Sequence, residues 1–142
     1  MDHTHHDRKR ILLVEDTPLD ATVFRYALGH AHVHADLQVV ISVAEAVKLI
    51  EQPKKVADLV ILDMSLQDGT GLDVLQAIRS SPVQHLIPVV VFSASTRDDD
   101  VRLSYAHGAN AYITKPSDNY PMLVEYVKTM DAFWFSTVRL PP

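Results

Sequence analysis

The chain has 142 residues, 47% of them hydrophobic, with a net charge of −5 and no cysteine. That length and apolar content suit one compact domain with a buried core, the missing thiols exclude disulfides and thiolate metal sites, and the acidic balance argues against a nucleic-acid surface, which needs a clustered basic face. No apolar run approaches membrane-spanning length and the N-terminus has no apolar signal core, so the expectation is a cytoplasmic protein without a membrane segment.

Residues 1–9 read as a flexible polar lead. His3, His5 and His6 could bind a transition metal there, although a solvated polar terminus is the commoner outcome. Ile11-Leu12-Leu13-Val14 is apolar throughout, the pattern of a strand buried on both faces, and it stops at Glu15-Asp16. Thr17 as N-cap and Pro18 at the first helical position predict a helix. Leu19, Val23, Tyr26 and Ala27 follow at helical spacing, and the helix closes near Gly29. His30, His32 and His34 alternate, so an extended segment would align three imidazoles, a possible metal set; exposed loop histidines are commoner.

Leu37 to Ile41 is the second strand. Ser42 caps a helix with Ala46, Leu49 and Ile50 as its buried stripe, and residues 51–55 form an exposed return. The apolar run Leu59 to Leu62 is the third strand and ends at Asp63, before a turn through Leu66-Gln67-Asp68-Gly69. The spacing then predicts a helix over 71–81 with Leu72, Leu75 and Ile78 facing in, ended by Ser81-Pro82. Pro88 to Phe92 is the fourth strand, ending in Ser93-Ala94-Ser95. A helix over 96–107 begins in Asp98-Asp99-Asp100, acids that suit its positive end, and Gly108 closes it. Asn110 to Thr114 is the fifth strand, leading into Lys115-Pro116, and a last helix runs from Ser117 to about Val138. Five strands alternating with helices predict a doubly wound α/β fold with a parallel sheet covered on both faces.

In such sheets ligands bind at the carboxyl ends of the strands. Five groups belong to that edge: Glu15 and Asp16 from strand one, Asp63 from strand three, Ser93 from strand four and Lys115 from strand five. Each could be a helix cap or a surface residue taken singly, but that does not explain their common edge. Three crowded carboxylates repel, and a hard dication removes the conflict; Mg²⁺ takes one or two carboxylates plus waters and phosphate oxygens. A carboxylate beside a dication, a lysine and a hydroxyl is a phosphoryl acceptor, with the other groups neutralising the phosphoryl oxygens.

These pieces resemble the receiver domain of two-component response regulators from Arg10 to about Tyr126. The resemblance is carried by Leu13-Val14-Glu15-Asp16, Leu62-Asp63-Met64-Ser65 with Gly69 following, Val91-Phe92-Ser93-Ala94, and Gly108 to Pro116. It implies a flavodoxin-like sheet of order 2-1-3-4-5 with five helices. It also implies that Asp63 accepts phosphate from a sensor histidine kinase, and that Glu15, Asp16, Asp63 and the backbone carbonyl of Ser65 hold Mg²⁺, with Mn²⁺ as a substitute. Ser93 would be the switch hydroxyl, Lys115 the phosphate-pairing lysine, Tyr112 the aromatic switch, and a cis peptide would precede Pro116. A buried structural tyrosine is the competing reading of Tyr112.

Residues 10–131 are then the receiver domain and 132–142 an aromatic extension of the last helix. The ending Ala132 to Pro142 is similar to small stand-alone regulators associated with bacterial and cyanobacterial phytochrome kinases, which implies a bacteriophytochrome partner and a homodimer through the last strand, the last helix and the tail. Phe133, Trp134 and Phe135 are consecutive, so they point about 100° apart on a helix and at least one must face outwards; a fold-back of the aromatic cluster onto its own domain is the alternative to the subunit contact. Three rival functions follow from the same strand ends. A phosphatase of the haloacid-dehalogenase type needs a second acid two residues after the first, where Ser65 stands. A flavodoxin-like nucleotide binder needs a Gly/Ser/Thr-rich loop where Glu15-Asp16-Thr17-Pro18 stands. A phosphate-free adaptor is opposed only by the complete acid, hydroxyl and lysine set.

Overall fold

The computed structural model describes residues 8–142; His3, His5 and His6 lie outside them. Five strands, β1 (Lys9–Val14), β2 (Ala35–Val40), β3 (Leu59–Leu62), β4 (Val89–Ser93) and β5 (Ala111–Thr114), form one parallel sheet of order β2-β1-β3-β4-β5. The helices are α1 (Pro18–His30), α2 (Val43–Ile50), α3 (Gly71–Ser80), α4 (Asp98–Ala106) and α5 (Tyr120–Ala132).

Strand periodicity divides the core in two. Leu12, Val14, Val60, Leu62, Val89 and Val91 face α2 and α3, meeting Ala46, Ile50, Val74, Leu75 and Ile78. The alternate residues Ile11, Leu13, Leu59, Ile61, Val90 and Phe92 face α1 and α5, meeting Phe24, Ala27, Leu28, Leu123, Val127 and Met130. Burial on both faces is why β1, β3 and β4 are apolar without alternation. Each such side chain contributes about 1.5–3 kcal/mol when fully buried. The register pairs Val14 with both Val40 and Leu62, and Leu62 with Val91. The chain therefore leaves β1 and β3 at the same level, which brings the acids after Val14 and Leu62 together.

Several expected boundaries move. Thr17 precedes α1 without a side-chain cap; its hydroxyl turns to Asp16 instead. His30 ends α1 and His32 is left-handed at φ 56°, so the three histidines do not form one extended face. In α3, Val74 is buried with Leu75 and Ile78, while Leu72 is half-buried. The last helix starts at Tyr120 because Asn119 accepts the Met122 N–H and Pro121 occupies its first turn. It stops at Ala132 and widens into a π-helical turn, Phe133–Thr137, closed by Val138 N–H on the Phe133 carbonyl. No cis peptide occurs among the described residues, so the Lys115–Pro116 bond is trans, the form an X–Pro amide favours by about 0.5–1 kcal/mol unless its surroundings select the other.

Candidate functional site

The carboxyl edge of β1, β3, β4 and β5 carries the candidate groups. Glu15, 3% exposed, and Asp63, 7% exposed, follow directly on buried valine and leucine residues that fix their level. Carboxylate oxygens of Glu15, Asp16 and Asp63 lie within 4.8 Å of one another. Lys115 reaches back from the end of β5, its backbone N–H bonding the Ser93 carbonyl at 2.8 Å. Its Nζ donates to Glu15 Oε1 at 2.6 Å, Asp63 Oδ2 at 3.1 Å and Asp20 Oδ2 at 3.2 Å. The other Asp63 oxygen, Oδ1, accepts the Ser65 N–H at 3.1 Å, and the second Glu15 oxygen accepts the Thr17 N–H at 3.2 Å.

Burial raises the Glu15 carboxyl to about 7, with Asp63 adding to the rise and Lys115 opposing it. For Lys115 burial works against the charged form, but the bonds and charges of Glu15 and Asp63 outweigh it and hold the ammonium well above its ordinary range. One lysine thus serves three acids, two of them buried and Asp20 open to solvent. The oxygen-only donor set and its excess negative charge fit a hard divalent cation.

The surrounding loop is fastened by the backbone. Gly71 N–H bonds the Met64 carbonyl at 2.9 Å, and a Cβ at Gly71 would lie 2.5 Å from the Asp63 carbonyl, so only glycine lets α3 approach this closely. Asp68 accepts the Val43 and Ala44 N–H groups at 2.8 and 3.1 Å, pinning the same loop to the start of α2; those bonds lower its pKa. Ser93 is buried and its Oγ accepts the Ser95 N–H at 3.2 Å. Tyr112 is half-buried against the α2–α3 side of the core, and its hydroxyl donates to the Ser95 carbonyl at 2.9 Å.

The structure therefore brings Glu15, Asp16, Asp63 and Lys115 into one cluster and joins Ser93 to Tyr112 through Ser95. Asp20 is the member sequence reasoning missed. An acid in the first turn of a helix is already explained by the helix dipole, and nothing local shows that it faces Lys115, 95 residues away.

A family model for the response regulator receiver domain matches residues 11–128. The chain belongs to that family. It is similar to response regulator Rcp1 of Synechocystis sp., 33% identical over 138 residues that cover 94% of this chain and 93% of Rcp1. The crystal structure of the phosphorylated cyanobacterial phytochrome response regulator RcpA matches with a TM-score of 0.86 and 37% identity, covering 95% of this chain and 99% of that one. The Mn²⁺-bound form of Rcp1 matches with a TM-score of 0.83 and 33% identity, over 94% and 99%. This protein is a receiver-domain response regulator, with the flavodoxin-like strand order of its relatives. The phosphatase and nucleotide-binder readings are set aside.

Proposed function

We propose that Asp63 accepts a phosphoryl group from the phosphohistidine of a sensor histidine kinase, a bacteriophytochrome in the simplest case, and that the acyl phosphate switches the domain through Ser93 and Tyr112. The observation that carries this is the Lys115 ammonium held between Glu15 and Asp63 beside a third carboxylate, at the mouth of the parallel sheet. A relative that is phosphorylated and another that binds Mn²⁺ support the same reading.

A carboxylate oxygen of Asp63 forms the new bond to phosphorus as the bond from phosphorus to the kinase imidazole nitrogen breaks. Ser65 N–H on Oδ1 orients the carboxylate. Lys115 is placed to leave Glu15 and pair with a phosphoryl oxygen, and the Ser93 hydroxyl, whose own hydrogen is not committed to Ser95, can donate to another. Glu15, Asp16, Asp63 and the backbone carbonyl of Ser65 would hold Mg²⁺, with Mn²⁺ as a substitute; the bound ion neutralises carboxylate and phosphoryl charge. There is no separate substrate, since the acceptor is the protein itself. The site requires the cytoplasm, where the kinase's phosphohistidine is made.

We also assign the face of β5, α5 and the tail to a homodimer, with residues 132–142 as an extension of a receiver domain spanning 10–131. Phe133 is 46% exposed there. The function is tested by intact-mass measurement after treatment with acetyl phosphate and Mg²⁺: one phosphoryl adduct on wild type and none on Asp63→Asn, which keeps the shape without the nucleophile. An equally modified Asp63→Asn protein would refute the assignment.

A further inference from the structure

Helix α4 is poorly anchored by packing: its one buried side chain is Ser104, while Leu103 and Tyr105 are exposed. Nor does the residue before it, Arg97, cap it with a side chain. Polar bonds from the β4–α4 loop take over. Ser95 Oγ accepts the Arg97 N–H at 3.2 Å and donates to Asp100 Oδ2 at 2.5 Å, a charge-assisted bond into the first turn of α4. The same residue donates its N–H to Ser93 Oγ and accepts Tyr112 O–H on its carbonyl. Ser104 Oγ donates to the Asp100 carbonyl at 2.8 Å within α4 and lies 3.7 Å from Met64 Sδ, on the residue after Asp63.

From these bonds we infer that Ser95 and Asp100 form a positioning pair that ties the start of α4 to the loop held by the Ser93 hydroxyl. This rests on Asp63 being the phosphoacceptor. Any movement of Ser93 towards a phosphoryl group on Asp63 carries Ser95 with it through the Ser95 N–H. The Ser95 carbonyl then moves under the Tyr112 hydroxyl, and the Ser95 hydroxyl pulls on Asp100. Without the Ser95–Asp100 bond the loop can follow Ser93 while α4 stays behind.

The test is the position of α4, read at Tyr105, which lies on that helix and whose hydroxyl accepts the Tyr112 N–H at 3.1 Å: ¹⁹F NMR of fluorotyrosine-labelled protein before and after acetyl phosphate with Mg²⁺, together with intact mass to measure the adduct. Wild type, Ser95→Ala, Asp100→Asn, the double variant and Ser95→Thr should all be phosphorylated. Each of Ser95→Ala and Asp100→Asn should lower the ratio of switched to unswitched molecules roughly tenfold, the size set by one hydrogen bond to a charged group. The double variant should lose no more than either single one, and Ser95→Thr, which keeps the hydroxyl, should restore the response. Additive losses, or a full Tyr105 response in phosphorylated Ser95→Ala and Asp100→Asn, would overturn the coupling and leave the phosphoacceptor intact. No adduct on wild type would overturn the phosphoacceptor, and the coupling with it.

Discussion

At the scale of single residues, the site without its cation shifts the titration of one carboxylate. Glu15 is raised from 4.5 to about 7, so the folded protein holds a proton there that the unfolded chain releases above about 4.5. Between those values the folded state binds more protons, and stability falls as pH rises through the window, by at most about 3 kcal/mol. The stabilisation is complete below about pH 4.5 and gone once pH passes about 7. Urea unfolding of wild type without divalent cation, compared with Glu15→Gln at each pH, should show this fall in the difference between the two proteins. Adding Mg²⁺, which requires the ionised carboxylate, should cancel it in wild type; a difference that rises with pH would show that Lys115 holds Glu15 ionised throughout. Glu15 and Asp63 were legible in the sequence because each follows a run of buried apolar residues, where a polar group needs a reason, and Lys115 because it follows the fifth strand at the same edge. Asp20 and Asp100 were not, since an acid near a helix start is already accounted for by the helix.

At the scale of elements, much of the assembly depends on side chains that bond distant backbone. Arg79 at the end of α3 donates to the Gly108 carbonyl through two nitrogens, to the Ile87 and His85 carbonyls, and to Asn110 Oδ1. It thereby joins α3 to the entry of β4 and to the α4–β5 turn. That turn needs glycine: Gly108 has φ 103°, and a Cβ there would come within 3.0 Å of Arg79 Nε. Arg79→Ala should cost about 3 kcal/mol, leaving the part-buried Gly108 and Ile87 carbonyls unpaired, and hydrogen exchange should quicken at Asn110 and Val89. Arg79→Lys should not rescue it, because one ammonium cannot reproduce the planar fork; full rescue would contradict this role. Gln84 works alike, fully buried with its amide between Val56 N–H and the Gln52 and Lys54 carbonyls. The strands and most helices could be read from periodicity, cap residues and Gly/Pro punctuation. Arg79 and Gln84 could not, because a long-range side-chain-to-backbone bond leaves no local pattern. Ser117 and Asp118 also read as helix, and only the Asn119 cap, with Asp118 left-handed at φ 55°, shows where it starts.

At the scale of the whole molecule, the π-turn divides the three tail aromatics between two tasks. Trp134 and Phe135 pack against the α1–α5 core, while Phe133 stacks edge-on with Trp134 at 5.0 Å and stays open to solvent. Phe133→Ser should therefore weaken a dimer in analytical ultracentrifugation with little loss of stability. Trp134→Ala should lower stability by about 3–5 kcal/mol if its packing matches that of a core aromatic, and by less in proportion to its exposure. A wild type that stays monomeric at high concentration, with and without acetyl phosphate, would assign the tail to its own domain alone. The central claim, that Asp63 is the acceptor of a phosphoryl group, is tested most directly by locating the group. Borohydride reduction of the acyl phosphate after acetyl phosphate treatment, followed by peptide mapping, should mark Asp63 alone, and only when a divalent cation is present. A mark on Asp16, on a histidine, or on Asp63 without the cation would contradict the account.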